Sequence, residues 1–261
     1  MFKACLLGLV GVTTVLASAS CPGLTVSHDG TPAGTFKNVS GIQVYHTYPP
    51  KGKHNASTAI LYVTDIFGVP LAQNKLLADS LARAGHTVLV PDLFHGDAVP
   101  ANALEGPGFD FPAWIAKHPV SESDSVIAKT LAYMRGELGV KKVGAVGYCW
   151  GGKYVPRFLK GDAGGIDVGF IAHPSNLDDG EIEGMVGPIS IAAGDLDDAF
   201  NATRRRTAED ILIKKNTTYQ TSLYAGAPHG FGVRVDLMNK RQKFAKEGAF
   251  YQAVGWFDAW L

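Results

Sequence analysis

The sequence has no excess of charge of either sign. It carries 24 basic and 24 acidic side chains among 261 residues, and charged residues make up only 18% of the chain. Proteins that bind nucleic acid or an anionic membrane through their charge need a clear basic excess, so neither partner is predicted. With 46% hydrophobic residues, the composition is that of a folded globular protein rather than a disordered one.

The sequence also lacks the short motifs that bind metals and nucleotides. It contains no C-x-x-C, H-x-x-x-H or H-E-x-x-H spacing, so no metal is predicted. Neither G-x-G-x-x-G nor G-x-x-x-x-G-K-S/T occurs, although the chain has 31 glycines. No nucleotide or other cofactor is therefore predicted.

Residues 1–20 differ from the rest of the chain. Lys3 precedes a short apolar run, Leu6 to Leu16, and the small residues Ala17-Ser18-Ala19 follow it. This pattern predicts a cleaved signal peptide over residues 1–20, because the apolar run is too short to span a bilayer comfortably. An uncleaved anchor helix is the alternative. The mature chain, residues 21–261, is then expected to be one secreted domain that is free of the membrane.

Four N-x-S/T sequons support secretion. They begin at Asn38, Asn55, Asn201 and Asn216, and predict a glycoprotein from a eukaryotic secretory route. Loss of the signal peptide would remove one of the three cysteines and leave Cys21 and Cys149. A single internal cysteine is at risk of oxidation in an oxidising compartment, so its presence calls for a reason.

Apolar runs typical of strands alternate with helical patterns along the chain. Strands are predicted over 59–65, 86–91, 142–148, 169–173, 188–193 and 219–224, and helices over 71–83, 121–138, 152–159, 199–214 and 241–261. In the helix over 121–138, Ser121 is the expected cap and Asp124 occupies the capping-box position. This alternation predicts a single-domain α/β fold with a mostly parallel central sheet and helices on both faces. Ligands of such sheets bind outside the carboxyl ends of the strands, where the candidate residues fall.

The stretch VGAVGYCWGG, residues 143–152, has the form of a nucleophile elbow with cysteine in place of serine. Gly147 and Gly151 allow the strand and the helix to approach closely around Cys149. The helix N-terminus would favour a thiolate or a developing oxyanion. The alternative is an inert buried cysteine that lies between two glycines by chance.

An acid and a histidine follow in the chain order that such a hydrolase requires. Three aspartates crowd the loop after the strand PISIAA, and Asp197 is preferred because Gly194-Asp195 completes the turn first. The non-catalytic expectation for the other two acids is that Asp198 caps the next helix and Asp195 is solvated, which is compatible with the role of Asp197. His229, after the last strand, is the predicted base.

These motifs resemble the dienelactone hydrolase family of the α/β-hydrolase superfamily over roughly residues 40–261. The resemblance is carried by Asp-Ile-Phe-Gly-Val at 65–69, Pro-Asp-Leu-Phe at 91–94, Gly-Tyr-Cys-Trp-Gly-Gly at 147–152, Gly-Asp-Leu-Asp at 194–197 and His-Gly-Phe at 229–231. It implies an α/β-hydrolase fold, a triad of Cys149, His229 and Asp197, and an oxyanion hole formed by the N–H groups of Ile66 and Trp150.

The sequence departs from the bacterial family pattern at two positions. Asp65 stands where that pattern has a glutamate that pairs with the resting thiol, so Asp65 is a shorter candidate for the same gating role. The pattern also has an arginine shortly after the position of Phe94, whereas His95-Gly96 stands here. Arg234 is the remaining candidate for a carboxylate anchor.

Aromatic residues near the strand ends predict an apolar pocket for small planar esters and unsaturated lactones rather than long acyl chains. The residues assigned to this pocket are Phe67, Phe94, His95, His173, Phe231 and Arg234. Residues 95–120, rich in proline and glycine, are its expected cover.

The predicted function is cleavage of small esters or enol-lactones through a thioester on Cys149. Two alternatives belong to other classes: a secreted binding or antigenic protein that retains the fold without activity, and a cysteine peptidase or amidase. The predicted partner is a small-molecule substrate. A monomer and a weak dimer are both compatible with the sequence.

Overall fold

The computed structural model describes residues 24–52, 55–106, 108–160 and 165–261. The predicted signal peptide, residues 1–20, and Cys21 lie outside the described residues. Within the described ranges, no helix is both long and apolar enough to cross a membrane.

Eight strands of the described chain form one sheet. In chain order they are β1 (Thr35–Val39), β2 (Ile42–Thr47), β3 (Thr58–Val63), β4 (Thr87–Pro91), β5 (Lys142–Tyr148), β6 (Val168–Ala172), β7 (Ile189–Leu196) and β8 (Tyr219–Pro228). Their order across the sheet is β1-β2-β4-β3-β5-β6-β7-β8. β2 is antiparallel to β1 and β4, whereas all other neighbours are parallel. The carboxyl ends of β3 to β8 therefore meet at one edge of the sheet.

Helices cover both faces of this sheet. Those in the described ranges are α1 (Ala72–Arg83), α2 (Phe111–Lys117), α3 (Val120–Gly136), α4 (Trp150–Phe158), α5 (Asp179–Gly184), α6 (Ala202–Lys214) and α7 (Lys240–Trp260). A Cβ at Gly144 would lie 2.8 Å from Phe257 of α7, and one at Gly147 would lie 2.8 Å from Val155 of α4. Positions 144 and 147 point to opposite faces of β5, so the predicted α/β architecture is confirmed.

The buried strands β3 to β6 were predicted to within two residues at each end, and β5 with both ends correct. β4 and β6 are buried along their whole length, and β3 is buried at every residue after Thr58. Strands enclosed on both faces read as continuous apolar runs, which is why the sequence identified them. The hairpin of β1 and β2 was not predicted, because four of the five residues of β1 are exposed and form no buried apolar run. The short helices α2 and α5 were not predicted either.

The predicted start of α3 is wrong by one residue, and so is its cap. Ser121 makes no capping hydrogen bond, because Pro119 is the N-cap residue and the helix begins at Val120. Asp124, expected to complete a capping box, instead accepts a hydrogen bond from Nε of Arg157 at 3.0 Å. Asp124 therefore forms an ion pair between α3 and α4 instead of the capping hydrogen bond that its position in the sequence predicts.

Candidate active site

Cys149 lies at a sharp turn between β5 and α4. Its φ is 51° and its ψ is −109°, a conformation that a residue other than glycine holds only when its surroundings enforce it. Gly151 permits the turn, because a Cβ at that position would overlap the Val63 carbonyl oxygen. The chain therefore presents the thiol at the carboxyl edge of the sheet, with the N-terminus of α4 directly after it, as in a nucleophile elbow.

The thiol of Cys149 contacts two polar side chains. Its Sγ lies 3.1 Å from Nε2 of His229 and 3.4 Å from Oγ of Ser175. Ser175 Oγ lies 3.2 Å from the same Nε2. The thiol, the imidazole and the hydroxyl therefore form a closed triangle, which we call the reacting triangle.

Asp197 holds the other nitrogen of His229. Its Oδ1 lies 2.9 Å from His229 Nδ1, and it also accepts hydrogen bonds from the N–H groups of Ala199 and Phe200 at 2.9 and 3.1 Å. The Asp197 side chain has 0% exposure, so water does not compete for this oxygen. A proton held on Nδ1 by the carboxylate leaves Nε2 facing the thiol.

The two other aspartates of this loop have different contacts. Asp195 accepts a hydrogen bond from the N–H of Gly226 at 2.6 Å, and Asp198 is exposed. The expectation that Asp198 caps α6 is wrong, since the N-cap is Asn201, whose side chain accepts from two N–H groups of the first turn. Of the three acids, the structure brings Asp197 to the histidine.

The charges of His229 and Asp197 support each other. Burial opposes a positive charge on His229, but the hydrogen bonds to Asp197 and Cys149 outweigh it and raise the pKa of His229 to about 10. Burial likewise opposes a negative charge on Asp197, but the hydrogen bond from His229 and its charge lower the pKa of Asp197 below its ordinary value. The arrangement thus favours an imidazolium beside the Asp197 carboxylate at neutral pH.

The backbone N–H groups of Ile66 and Trp150 both belong to residues that line the cleft beside Cys149. Among the described residues, no group accepts a hydrogen bond from either of them. The next N–H along, that of Gly151, is already used by the Thr64 carbonyl oxygen at 3.0 Å. Within the described part of the chain, neither of the two predicted oxyanion donors is therefore already engaged in a hydrogen bond.

Asp65 is buried and forms no hydrogen bond with the thiol of Cys149. Its Oδ1 accepts from Nδ2 of Asn74 at 2.8 Å and from the N–H of Phe67 at 3.1 Å, and its Oδ2 lies 4.0 Å from Nε of Arg234. Burial raises the pKa of Asp65, against the hydrogen bond from Asn74 and the charge of Arg234. The predicted gating contact between Asp65 and Cys149 is not formed in this structure.

A cleft of about 250 Å³ lies above the reacting triangle. Its lining residues are Asp65, Ile66, Phe67, Leu104, Phe111, Trp114, Ile115, Cys149, Trp150, Ser175, Asn176, His229, Gly230 and Arg234. Leu104 and Ile115 are 58% and 49% exposed, so large apolar side chains stand open where a ligand would contact them. Arg234 lines the same cleft, with its Cζ 3.9 Å from the centre of the Phe67 ring.

Four residues assigned to the pocket from the sequence do not line this cleft. Phe94 is buried against Trp114, with ring centroids 5.1 Å apart, and so supports the wall from behind. Phe231 is fully buried and packs against His173, 5.4 Å between ring centroids. His95 points to solvent, where its Nε2 lies 3.8 Å from a Glu122 oxygen. Aromatic residues near strand ends predicted the neighbourhood of the pocket but not which layer each ring occupies.

His173 is the fourth of these residues, and it lies beneath His229. Its ring is fully buried, and the two histidine centroids are 5.3 Å apart. Burial, together with the positive charge of His229, lowers the pKa of His173 to about 3, so its imidazole is neutral. It is therefore a support of the site and not part of the surface that a ligand would touch.

The residues of α2 that line the cleft, and Ser175 of the reacting triangle, were not predicted from the sequence. Phe111, Trp114 and Ile115 belong to α2, whose seven residues include Pro112 and read as part of a loop. Ser175 follows β6 in a segment, His-Pro-Ser-Asn, that carries no catalytic motif. The only signal for Ser175 was its place shortly after the carboxyl end of a parallel strand.

The fold and these contacts define the class of the protein, an α/β hydrolase with acid, histidine and thiol in a row at the strand ends. The model of the dienelactone hydrolase family matches residues 42–261, and the chain belongs to this family. It is thus an enzyme, an ester hydrolase that acts on small-molecule substrates.

Individual relatives agree with this assignment. The chain is 41% identical to hydrolase pyvD of Aspergillus violaceofuscus over 96% of this chain and 99% of that protein. It is 31% identical to dienlactone hydrolase 1 of Gibberella moniliformis over 90% of each. The crystal structure of dienelactone hydrolase from Anabaena variabilis matches with a TM-score of 0.65 and 16% identity, over 89% of this chain and 100% of that one. At that identity the likeness concerns the fold.

Proposed function

We propose that the protein cleaves small esters or enol-lactones with Cys149 as nucleophile, His229 as base and Asp197 as the acid that orients the imidazole. The observation that carries the proposal is the row of contacts at the floor of the cleft. The distances are 3.1 Å from Sγ to Nε2 and 2.9 Å from Nδ1 to Oδ1. A protein that only binds its ligand has no need for this row.

The first half of the reaction transfers the acyl group to sulfur. The thiolate of Cys149 attacks the carbonyl carbon, a C–S bond forms, and the carbonyl electron pair moves onto oxygen. The oxyanion accepts hydrogen bonds from the N–H groups of Ile66 and Trp150. The C–O bond to the leaving group then breaks, and His229 gives its Nε2 proton to the leaving oxygen. In an enol-lactone the leaving enol stays attached and becomes a ketone.

The second half releases the acid and restores the thiol. Water loses a proton to the neutral Nε2 of His229 and attacks the thioester carbonyl carbon. The C–S bond breaks, sulfur leaves as the thiolate of Cys149, and the carboxylic acid departs. Because a thiolate expels an amine poorly, esters and lactones suit this site better than peptides.

The wall of the cleft supports a small, apolar acyl or aryl group. A volume of about 250 Å³ accommodates a compact ring better than a long chain. Among the described residues that line the cleft, Arg234 is the one arginine or lysine. A carboxylate on the substrate can therefore bind but is not obligatory.

The test replaces the thiol and measures hydrolysis of p-nitrophenyl esters with two-carbon to sixteen-carbon acyl groups, beside a dienelactone. Cys149→Ala is expected to lower kcat by about 10⁴-fold or more, to lose labelling by iodoacetamide at this position, and to retain the wild-type Tm. Cys21→Ala is the matched control and is expected to keep full activity. Wild-type rates in Cys149→Ala would end the assignment of the nucleophile.

The chain-length series tests the substrate class separately. Rates are expected to be highest for short acyl groups and for the lactone. A rate that climbs steadily to sixteen carbons would overturn the small-pocket proposal even with Cys149 as nucleophile. Casein digestion comparable with ester hydrolysis would favour the peptidase alternative.

We also propose that the enzyme is secreted and glycosylated. The signal-like residues 1–20 motivate this proposal. The four sequon asparagines, Asn38, Asn55, Asn201 and Asn216, are all exposed in the structure, so a glycosyltransferase could reach each of them. Intact mass of the protein secreted by a eukaryotic host is expected to show cleavage near residue 20 and added glycans. A mass equal to the uncleaved, unmodified chain would contradict the proposal.

A further inference from the structure

Ser175 contacts both reacting atoms of the proposed triad and has no role in the scheme above. We propose that Ser175 is a fourth catalytic residue, whose hydroxyl accepts a hydrogen bond from the protonated Nε2 of His229 and donates one to the thiolate of Cys149. It thereby favours the charge-separated pair over the neutral pair. This inference rests on the proposed roles of Cys149 and His229.

The backbone holds Ser175 in place from two sides. Its N–H donates to the carbonyl oxygen of Cys149 at 3.0 Å, so the nucleophile and the serine are joined through the main chain as well. The carbonyl oxygen of the next residue, Asn176, accepts a hydrogen bond from Nζ of Lys153 in α4 at 2.9 Å. A hydroxyl on a backbone anchored in this way keeps a defined position beside the thiol.

The segment around Ser175 is also strained. His173 and Asn176 have φ values of 39° and 50°, in the left-handed region that residues other than glycine rarely adopt. Pro174 packs so closely against α4 that a Cβ at Gly152 would lie 2.6 Å from the Pro174 Cβ. Strain of this kind persists where the surrounding structure over-determines it, and it concentrates at functional sites. Here the strained turn delivers Ser175 to the thiol.

The direction of the hydrogen bonds explains why the serine favours charge. In the charged state, Nε2–H donates to both Sγ and Oγ, at 3.1 and 3.2 Å, and the serine O–H donates to Sγ. Each of these bonds has an ionised partner, and such bonds are roughly twice as strong as neutral ones. In the neutral state, the hydrogen bonds among Cys149, His229 and Ser175 join only neutral groups, and one of these groups is a thiol, which is a weak donor.

Several other titratable groups lie on the elements around the reacting triangle. They include Tyr148 in β5, His173 after β6, Asp65 after β3, Lys153, Tyr154 and Arg157 in α4, Asp197 after β7, and His229 and Arg234 after β8. Among the described residues, only His229 and Ser175 form hydrogen bonds with Sγ. The nearby charges are unchanged when Ser175 is replaced, so a change in thiol reactivity reports on the hydroxyl.

The test compares Ser175→Ala, Ser175→Thr and the control Ser125→Ala, which removes an exposed hydroxyl from α3. The rate of Cys149 alkylation by iodoacetamide is measured from pH 5 to pH 9. In Ser175→Ala we expect the rate at pH 6 to fall about tenfold, as for the loss of a hydrogen bond to a charged group. The profile should move to higher pH and rejoin that of the wild type at alkaline pH. Ser175→Thr should restore the rate to within about twofold.

Ester hydrolysis gives a second readout. Ser175→Ala is expected to lower kcat about tenfold and to change KM by less than about twofold, because the hydroxyl stabilises the reacting pair rather than the bound substrate. Alkylation profiles of Ser175→Ala and wild type that coincide would overturn the proposal. The proposal would also be overturned if Ser175→Thr failed to restore the rate that Ser175→Ala loses. The same holds if the alkylation rate of Ser175→Ala fell equally at every pH and its Tm were lower than that of the wild type.

Failure of this inference and failure of the proposed function give different results. If Cys149→Ala retains activity, the nucleophile is wrong, whatever the serine does. If Cys149→Ala is inactive but Ser175→Ala alkylates and turns over as the wild type does, the triad stands and the role of Ser175 is refuted. Alkylation needs no turnover, so it tests the contact between hydroxyl and thiol directly.

Discussion

The floor and the wall of the cleft differ in composition and in where they lie along the chain. The floor consists of Cys149, Asp197, His229 and Ser175, which follow four parallel strands and are joined by hydrogen bonds of 2.9 to 3.4 Å. Much of the wall consists of apolar residues of one segment, Leu104 and part of α2, where two large side chains remain about half exposed.

The floor therefore determines the reactivity of the site, whereas the wall determines which substrate binds. A floor fixed by several strand ends holds the reacting atoms within the tolerance that catalysis needs. A wall contributed by one segment between β4 and α3 can change its side chains without disturbing those atoms. We therefore expect substitutions in the floor to change kcat by orders of magnitude and substitutions in the wall to change KM and substrate preference.

After loss of the thiol itself, the largest effect is expected when the acid of the floor is neutralised. Asp197→Asn keeps the shape of the side chain but removes the charge that raises the pKa of His229 and fixes its tautomer. We expect kcat/KM to fall about 10⁴-fold, as when a triad aspartate is replaced by asparagine. Alkylation of Cys149 below pH 7 should slow as well, because less of the imidazolium remains.

Asp195→Asn is the control for this loop, since Asp195 binds the N–H of Gly226 and not the histidine. It is expected to retain activity within about twofold. If Asp195→Asn lost activity and Asp197→Asn kept it, Asp195 and not Asp197 would be the acid that orients His229. The assignment of Asp197 to the floor would then be wrong.

The positions of the floor residues were predictable because each follows a strand of the parallel sheet. β5 and β7 are mostly buried, whereas β8 has a single buried residue, Ala227. Cys149 comes directly after β5, Asp197 directly after β7 and His229 directly after β8, and the carboxyl ends of parallel strands meet at one edge. Ser175 also follows a buried strand, but a serine in a loop has many ordinary uses, so nothing in the sequence singled it out. Its importance depends on a three-dimensional contact that spans 26 residues to Cys149.

The wall was less predictable because its residues form no buried periodic element. α2 has one buried residue, Trp114, so its apolar positions form no repeating face. Phe94 and Phe231 were assigned to the pocket because they follow strands, yet both are buried in the layer behind it. Whether an aromatic ring faces the cleft depends on the direction of its side chain, which spacing along the chain does not specify.

An intermediate effect is expected from the wall. Ile115 of α2 is 49% exposed in the cleft, so a substrate would cover it, and Ile115→Gln should raise KM for aryl esters about tenfold with kcat nearly unchanged. Ile213→Gln is the matched control, since Ile213 is 62% exposed on α6 and does not line the cleft. A fall in kcat at constant KM would contradict the division between floor and wall.

Two buried acids of the site allow a finer comparison, because their pKa values shift in opposite directions. Asp197 has a lowered pKa, so its contribution to stability is present at neutral pH and is lost as the pH falls through the folded-state value. Asp65 has a raised pKa, because burial opposes its charge and its Oδ2 has no hydrogen-bond partner among the described residues. Its contribution is therefore largest in acid and is lost as the pH rises.

The smallest effect is expected from Asp65→Asn, and it concerns stability first. The asparagine can keep the hydrogen bonds from Asn74 and the N–H of Phe67 while it removes the buried charge. At pH 7 we expect Tm to rise by about 2–4 °C, equal to ~1 kcal/mol in a domain of this size. The gain should shrink toward pH 4, where the wild-type carboxyl becomes protonated. Calorimetry at both pH values tests this, with the exposed Asp210→Asn as control.

If Asp65 also gates the thiol, the pH profile of iodoacetamide alkylation will differ between Asp65→Asn and wild type. An unchanged alkylation profile together with a raised Tm of Asp65→Asn would assign Asp65 a purely structural role. Equal Tm values of Asp65→Asn and wild type at pH 7 would contradict the expectation that the buried charge of Asp65 destabilises the fold.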